Sequence, residues 1–268
     1  MSKNKTFYEN KTIWITGASS GIGEALAYAF NENGAKVIIS ARRIGELERV
    51  KNQCKYSGNV TCHALDVTDI GAVETVTHKI LAKFHKVDIA VLNAGISQRS
   101  EVKDTALSVD RKIMDVNYFG AIHVAKALIP NMIQHQVGHF VVISSISGKT
   151  GVAIRSAYCA SKHALHGFFD SLRAELYQYN VKVTMICPGY VKTNISKSAL
   201  QGDGKLHGVM DELQSKGLSA KKAAKKILNA TRKGKREIVF GGSEVLGVYL
   251  KRFAPGILAR YLRNYRSR

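Results

Sequence analysis

A chain of 268 residues with 45% hydrophobic and 22% charged positions can bury one large core, which excludes a disordered segment or a small stapled scaffold. Three prolines and 23 glycines exclude collagen-like and linker-rich architecture. The charge is unusual: 40 Lys+Arg against 20 Asp+Glu gives +20, and residues 201–268 hold 16 and 5 of these, so +11 belongs to the C-terminal quarter.

The four cysteines, Cys54, Cys62, Cys159 and Cys187, form no CxxC pair and no His/Cys group at metal-ligand spacing. Free thiols and no metal are expected, with two of the thiols in core strands. Residues 1–10 are polar and are expected to run straight into the first strand. No stretch reaches the roughly 18 apolar residues that span a bilayer. The cytosol is the expected compartment.

In chain order, Thr12–Thr16 (TIWIT) predicts a strand, followed by a glycine-rich turn and a helix over Gly21–Asn33. Lys36–Ser40 predicts a strand, Arg43–Cys54 a charged helix, Val60–Ala64 a strand, Thr68–Phe84 a helix and Val87–Leu92 a strand. Long helices over Ala106–Gln134 and Ser156–Tyr179 flank the strand His139–Ser144; Val181–Cys187 and Glu237–Phe240 complete the strands. Apolar strands alternating with amphipathic helices predict an α/β fold, a parallel sheet covered on both faces. With no repeat, low-complexity tract or linker, residues 1–268 read as one domain. It carries a variable region at about 195–217 and a C-terminal extension over 243–268.

The first strand ends in Thr16-Gly17-Ala18-Ser19-Ser20-Gly21-Ile22-Gly23, a G-x-x-x-G-x-G turn opening a helix. Gly17 allows the tight turn, Gly21 lets the backbone approach a pyrophosphate, and Gly23 lets the helix pack on the sheet. The helix N-terminus, with Ser19, Ser20 and Ile22 around it, attracts the phosphate charge. After the second strand, Ser40-Ala41-Arg42-Arg43 offers two guanidinium groups and none of the acid that binds an NAD ribose. NADPH is therefore the expected cofactor, the alternative being that Arg42 and Arg43 are a solvated helix start. Asp66, followed by Val67, can accept from an adenine amino group, and Asn93-Ala94-Gly95 can lie against the cofactor. Each of these also fits an ordinary turn.

Tyr158 and Lys162 lie four apart on one helix face. A phenol titrates near 10, and a neighbouring ammonium is expected to lower that value toward proton exchange at neutral pH. Ser145 lies thirteen residues earlier, just past an apolar strand, and Asn117 sits mid-helix, where its low propensity needs a reason.

Taken together, TGASSGIG, NAG, Asn117, Ser145, SAYCASKHAL (Ser156–Leu165) and Pro188-Gly189 resemble the short-chain dehydrogenase/reductase family over roughly residues 10–195. The resemblance implies a Rossmann-type doubly wound fold and an Asn117-Ser145-Tyr158-Lys162 tetrad. Tyr158 would protonate a carbonyl oxygen during reduction, and Ser145 would bind and orient that substrate oxygen. Lys162 would lower the tyrosine pKa and bind the nicotinamide ribose; Asn117 would distort its helix and hold a relay water. Pro188, Gly189, the Val191 backbone and the Thr193 hydroxyl would border the nicotinamide. NYFG, GFFDSLRAEL, PGYVKTNIS and KRFAPGILARYL are similar to a subgroup containing acyl-dihydroxyacetone-phosphate reductases, which implies a lipophilic or acyl-type ketone. A homo-oligomer is implied as well.

Residues 195–217 offer few convergent polar groups from which to read a substrate. In the tail, Val245, Leu246, Tyr249, Leu250, Phe253, Ile257, Leu258, Tyr261, Leu262 and Tyr265 recur at helical spacing, with Arg260, Arg263, Arg266 and Arg268 between and beyond them. This pattern fits an amphipathic helix on an anionic membrane, or a segment packed on its own domain or a sister subunit. Gly247, Pro255 and Gly256 favour two short helices, and with them the packed reading. The charge raises nucleic acid as a partner, but no helix-turn-helix, zinc finger or RNA-binding signature accompanies it, so none is expected. A non-catalytic scaffold has no use for a complete tetrad. An NAD-dependent alcohol or hydroxysteroid dehydrogenase is the nearest enzymatic alternative.

Overall fold

In the computed structural model, which describes residues 3–264, the chain opens with helix α1 (Lys3–Tyr8) and not with a bare lead-in to the sheet. Tyr8 is fully buried, and its hydroxyl donates to the Leu228 carbonyl at 2.6 Å, which ties the segment to a helix 220 positions away. Two adjacent aromatics, Phe7 and Tyr8, after a polar stretch carry little periodicity, so this helix escapes a reading of pattern alone.

From there, strands and helices alternate: β1 (Thr12–Thr16), α2 (Gly21–Glu32), β2 (Lys36–Ala41), α3 (Ile44–Gln53), β3 (Val60–Ala64), α4 (Ile70–Phe84) and β4 (Ile89–Leu92). The α4 start is set by Asp69, whose side chain accepts from the Ala72 N–H. Next come α5 (Leu107–Met114), a π-helical turn (Asp115–Phe119), α6 (Gly120–His135), β5 (Gly138–Ile143), α7 (Ser156–Glu175) and β6 (Val181–Pro188). The single helix expected over Ala106–Gln134 is thus two helices joined by a π turn, with Asn117 at its centre. Beyond β6 lie β7 (Val191–Lys192), α8 (Glu212–Ser215), β8 (Leu218–Ser219), α9 (Ala220–Arg232), β9 (Glu237–Phe240), α10 (Leu246–Phe253) and α11 (Pro255–Asn264). Tyr265, Arg266 and Arg268 lie outside the described residues.

The sheet has the order β3-β2-β1-β4-β5-β6-β9, with every pairing parallel. All five residues of β1 and all six of β5 are buried, because helices cover both faces and leave no solvated side for alternating polar residues. Ile13 and Ile15 face a core shared with α1, α2 and α9; Trp14 faces the one shared with α4, α6 and α7. Strand order reverses between β1 and β4, so a crevice opens at their carboxyl ends, where α/β sheets bind ligands.

Candidate active site

A single cavity of about 1170 Å³ runs along that edge, from the glycine turn past Tyr158 to the two C-terminal helices. Gly17 and Gly21 hold φ values of 65° and 61°, a left-handed conformation that L side chains rarely adopt. A Cβ on Gly23 would lie 2.6 Å from Asn93 Nδ2, and that amide donates to the Thr16 and Gly17 carbonyls at 3.0 and 2.9 Å. Asn93 therefore fastens the glycine turn, besides lining the cavity with Ala94 and Gly95. No side chain caps α2 at Ser20, which leaves the first N–H groups of the helix pointing at the crevice for an anion. These features fit a dinucleotide pyrophosphate.

At the far end of the same wall, Arg42 and Arg43 are exposed at the cavity rim, and neither makes an ion pair with a described carboxylate. Arg49, by contrast, is spent on Glu24 and Glu46 at 2.8 and 2.9 Å. Asp66 and Val67 line the cavity; Asp66 Oδ1 accepts from the backbone and hydroxyl of Thr68.

Ser145, Tyr158 and Lys162 meet on one side of this space. Ser145 follows β5 and caps a short turn, its hydroxyl accepting from the Ser147 N–H at 3.1 Å. It also hydrogen-bonds the Tyr158 phenol. Lys162 Nζ lies 5.8 Å from the Tyr158 ring centroid and donates to the Ile143 carbonyl at 2.8 Å. Burial raises the phenol pKa above 10, the Ser145 bond and the Arg155 and Arg99 charges offsetting it only in part. The net lowering expected from Lys162 is not what the structure shows: burial pulls Lys162 itself down to about 8, since both charged forms are costly here.

Asn117 sits behind this group. Its Oδ1 accepts from the Ile96 N–H at 2.8 Å, and its Nδ2 donates to the Ile96 carbonyl and to Ser161 Oγ at 3.0 and 2.9 Å. The π turn thus lets one side chain pin the loop after β4 to α7. Pro188, Gly189, Val191 and Thr193 line the cavity, and the Val191 carbonyl and Thr193 hydroxyl accept from Gln214 Nε2.

The region read as poor in polar groups supplies one that matters. Asp211 is buried and bonded by Arg99 Nε at 3.0 Å and by Arg155 Nη2 at 3.1 Å, so two guanidinium groups share one carboxylate beside Tyr158. Arg155 Nε is buried without a hydrogen-bond partner. Sequence reasoning missed this cluster, and the only signal for it is indirect. Arg155 stands at the N-terminus of α7, where a helix dipole disfavours a cation, so its placement needs a reason.

The structure also brings together three groups that sequence spacing did not show. His166 of α7, Cys187 of β6 and Glu237 of β9 place ligand atoms within 4.8 Å of one another. Lys149 Nζ already lies 2.6 Å from Glu237, and burial moves Cys187 up to about 12 and His166 down to about 4. His166 and Cys187, both kept neutral by burial, and Glu237, paired with Lys149, form a brace behind Ser144, whose hydroxyl is 3.1 Å from His166 Nε2. All four cysteines are free.

The family model for short chain dehydrogenase matches residues 11–204, the stretch that contains the turn, the crevice and the tetrad. The chain belongs to that family. This short-chain dehydrogenase is 38% identical over 266 residues to dehydrogenase/reductase SDR family member 7B of Mus musculus, covering 97% of this chain and 82% of that one. A short chain dehydrogenase/reductase from Burkholderia phymatum in complex with NAD shares its fold at TM-score 0.83 and 22% identity, over 93% and 95% of the two chains. An alcohol dehydrogenase from Thermococcus sibiricus complexed with 5-hydroxy-NADP aligns at TM-score 0.75 and 25% identity, over 88% and 97%. The short-chain dehydrogenase assignment makes the chain an oxidoreductase of a family that uses NAD or NADP.

Proposed function

We propose that this chain uses NADPH to reduce the carbonyl of a lipophilic or acyl-type ketone. The observation that carries the proposal is the meeting of Ser145, Tyr158 and Lys162 on one cavity with an uncapped glycine turn and with Arg42 and Arg43. Two rim guanidinium groups with no described ion partner suit a 2′-phosphate, and would be idle toward a bare ribose. When bound, NADPH supplies the hydride.

The residues of the chain supply the rest. Burial keeps the Tyr158 proton on its oxygen, which is the form needed to protonate a carbonyl oxygen as it gains negative charge. Ser145 holds the phenol by a hydrogen bond and is placed to orient the same carbonyl oxygen. After proton transfer the phenolate is stabilised by Ser145 and by the Arg155 and Arg99 charges, and Lys162 supplies a further positive charge while protonated. Leu250, Leu258 and Leu262 give the cavity an apolar wall for a lipid chain. The surplus guanidinium charge around Asp211 suits an anionic group near the carbonyl, such as the phosphate of acyl-dihydroxyacetone phosphate.

The test is cofactor oxidation across a panel of ketones, including acyl-dihydroxyacetone phosphate and steroid ketones, with Tyr158→Phe as the blank. Turnover with NADPH should vanish in that variant. Arg42→Ala with Arg43→Ala should raise KM for NADPH about tenfold or more, the worth of a charge-assisted bond, while barely changing that for NADH. Turnover retained by Tyr158→Phe would remove the acid from its role, and a higher kcat/KM with NADH would reverse the cofactor.

A further inference from the structure

Helices α10 and α11 present two apolar surfaces. One faces inward: Leu250, Leu258 and Leu262 line the cavity, and Leu258 is buried. The other faces out, with Tyr249 56% exposed, Phe253 80%, Ile257 61% and Tyr261 59%. In α10, Leu246, Tyr249 and Phe253 follow one another at three and four residues, and Ile257 and Tyr261 do so in α11, so each set shares a helix face. Leu246, Ile257 and Tyr261 belong to both surfaces, so the exposed face is continuous with the cavity wall.

Scattered exposed hydrophobics are ordinary; a cluster of large ones over two consecutive helices marks an interaction surface. The charge indicates the partner. Lys251, Arg252, Arg260 and Arg263 are exposed on the same two helices, and no acidic residue occurs from Leu246 to Asn264. A wholly basic, aromatic-bearing amphipathic pair complements anionic headgroups above an apolar layer. Tyrosines such as 249 and 261 suit the boundary between the two, with an apolar ring and a polar tip.

We propose that α10 and α11 seat the protein on an anionic lipid surface and hold the cavity mouth against it, so that the ketone enters from the lipid and not from water. The route of entry rests on the proposed substrate class; the seating does not. Tyr249 and Phe253 do not line the cavity, which separates docking from catalysis.

The experiment uses the full chain and flotation on phosphatidylcholine vesicles with and without phosphatidylserine. The wild type should float with the anionic vesicles and be released by high salt. Tyr249→Glu with Phe253→Glu should lose binding about tenfold or more, and Lys251→Glu with Arg252→Glu should lose it on anionic vesicles only. All variants should keep kcat/KM for a water-soluble ketone, which also reports that they fold, and should lose it for a ketone embedded in the vesicle. A wild type that stays at the bottom of the gradient, or binds neutral vesicles equally, overturns the seating. Conversion of a dimer to a monomer by Phe253→Glu, without vesicle binding, would give the face to a second copy instead. Vesicle binding with equal effects on embedded and soluble ketones would overturn the route of entry alone.

Discussion

Lys162 and Tyr158 are both buried, and each is pushed toward its neutral form, one as an amine and the other as a phenol. Only the ammonium can stabilise a developing phenolate, and Lys162 loses its proton as pH rises through about 8. Reduction should therefore decline on the alkaline side: kcat/KM for NADPH, which reports the unliganded enzyme, should be level below about pH 8 and fall about tenfold per pH unit above it. A profile flat to higher pH would mean the ammonium is not required. At this scale the Tyr158–Lys162 pair is legible in the sequence because residues four apart share a helix face, whereas the full tetrad with Asn117 and Ser145 comes from the family resemblance. Arg99, Arg155 and Asp211 are not, since the contact joins residues 56 and 112 positions apart and depends on tertiary folding.

Among the elements, the alternation of strands and helices is readable because a parallel sheet buries each strand entirely and each helix on one face. The breaks are harder to see. The π turn at Asp115–Phe119 has no sequence signal apart from Asn117, and α1 is mostly polar. In α9, Ala223, Ala224, Ile227 and Leu228 are buried between exposed lysines at 221, 222, 225 and 226, a 3.6-residue pattern that the basic composition obscures. Two glycines of the α2 and α3 helix starts separate tight packing from mere flexibility. Gly23→Ala puts a methyl into Asn93 and the glycine turn, and should cost about 1–3 kcal/mol of stability and weaken dinucleotide binding. Gly45→Ala has nothing within 4 Å and should be neutral or stabilise by up to about 1 kcal/mol. Urea midpoints and NADPH titration distinguish the two; equal effects would refute the packing account.

For the molecule as a whole, two buried histidines set an acid limit. His139 and His166 are held neutral, each with its pKa depressed to about 4 by burial. Unfolded, both titrate near 6.5, so between about 6.5 and 4 the unfolded chain binds more protons and stability falls as pH falls. Each can cost up to about 3 kcal/mol by the acid end of that window. The urea midpoint should drop steadily over that window, and less steeply when both are replaced by glutamine. An unchanged slope would assign acid sensitivity to the carboxylates alone. The number and type of these histidines are plain in the sequence; their burial, which decides their effect, appears only once β5, α7 and β6 are assembled.

The carboxylate of Glu244, just ahead of α10, accepts from the Tyr190 N–H at 2.9 Å. It occupies the space that a Cβ on Gly189, Gly241 or Gly242 would need. Any side chain at those three positions evicts the acid, and any shorter residue at 244 empties a socket that the glycines keep open. The four positions are thus coupled through one socket: the glycine beside the cofactor edge and the acid at the root of α10 share a space, although 55 residues separate the first from the last.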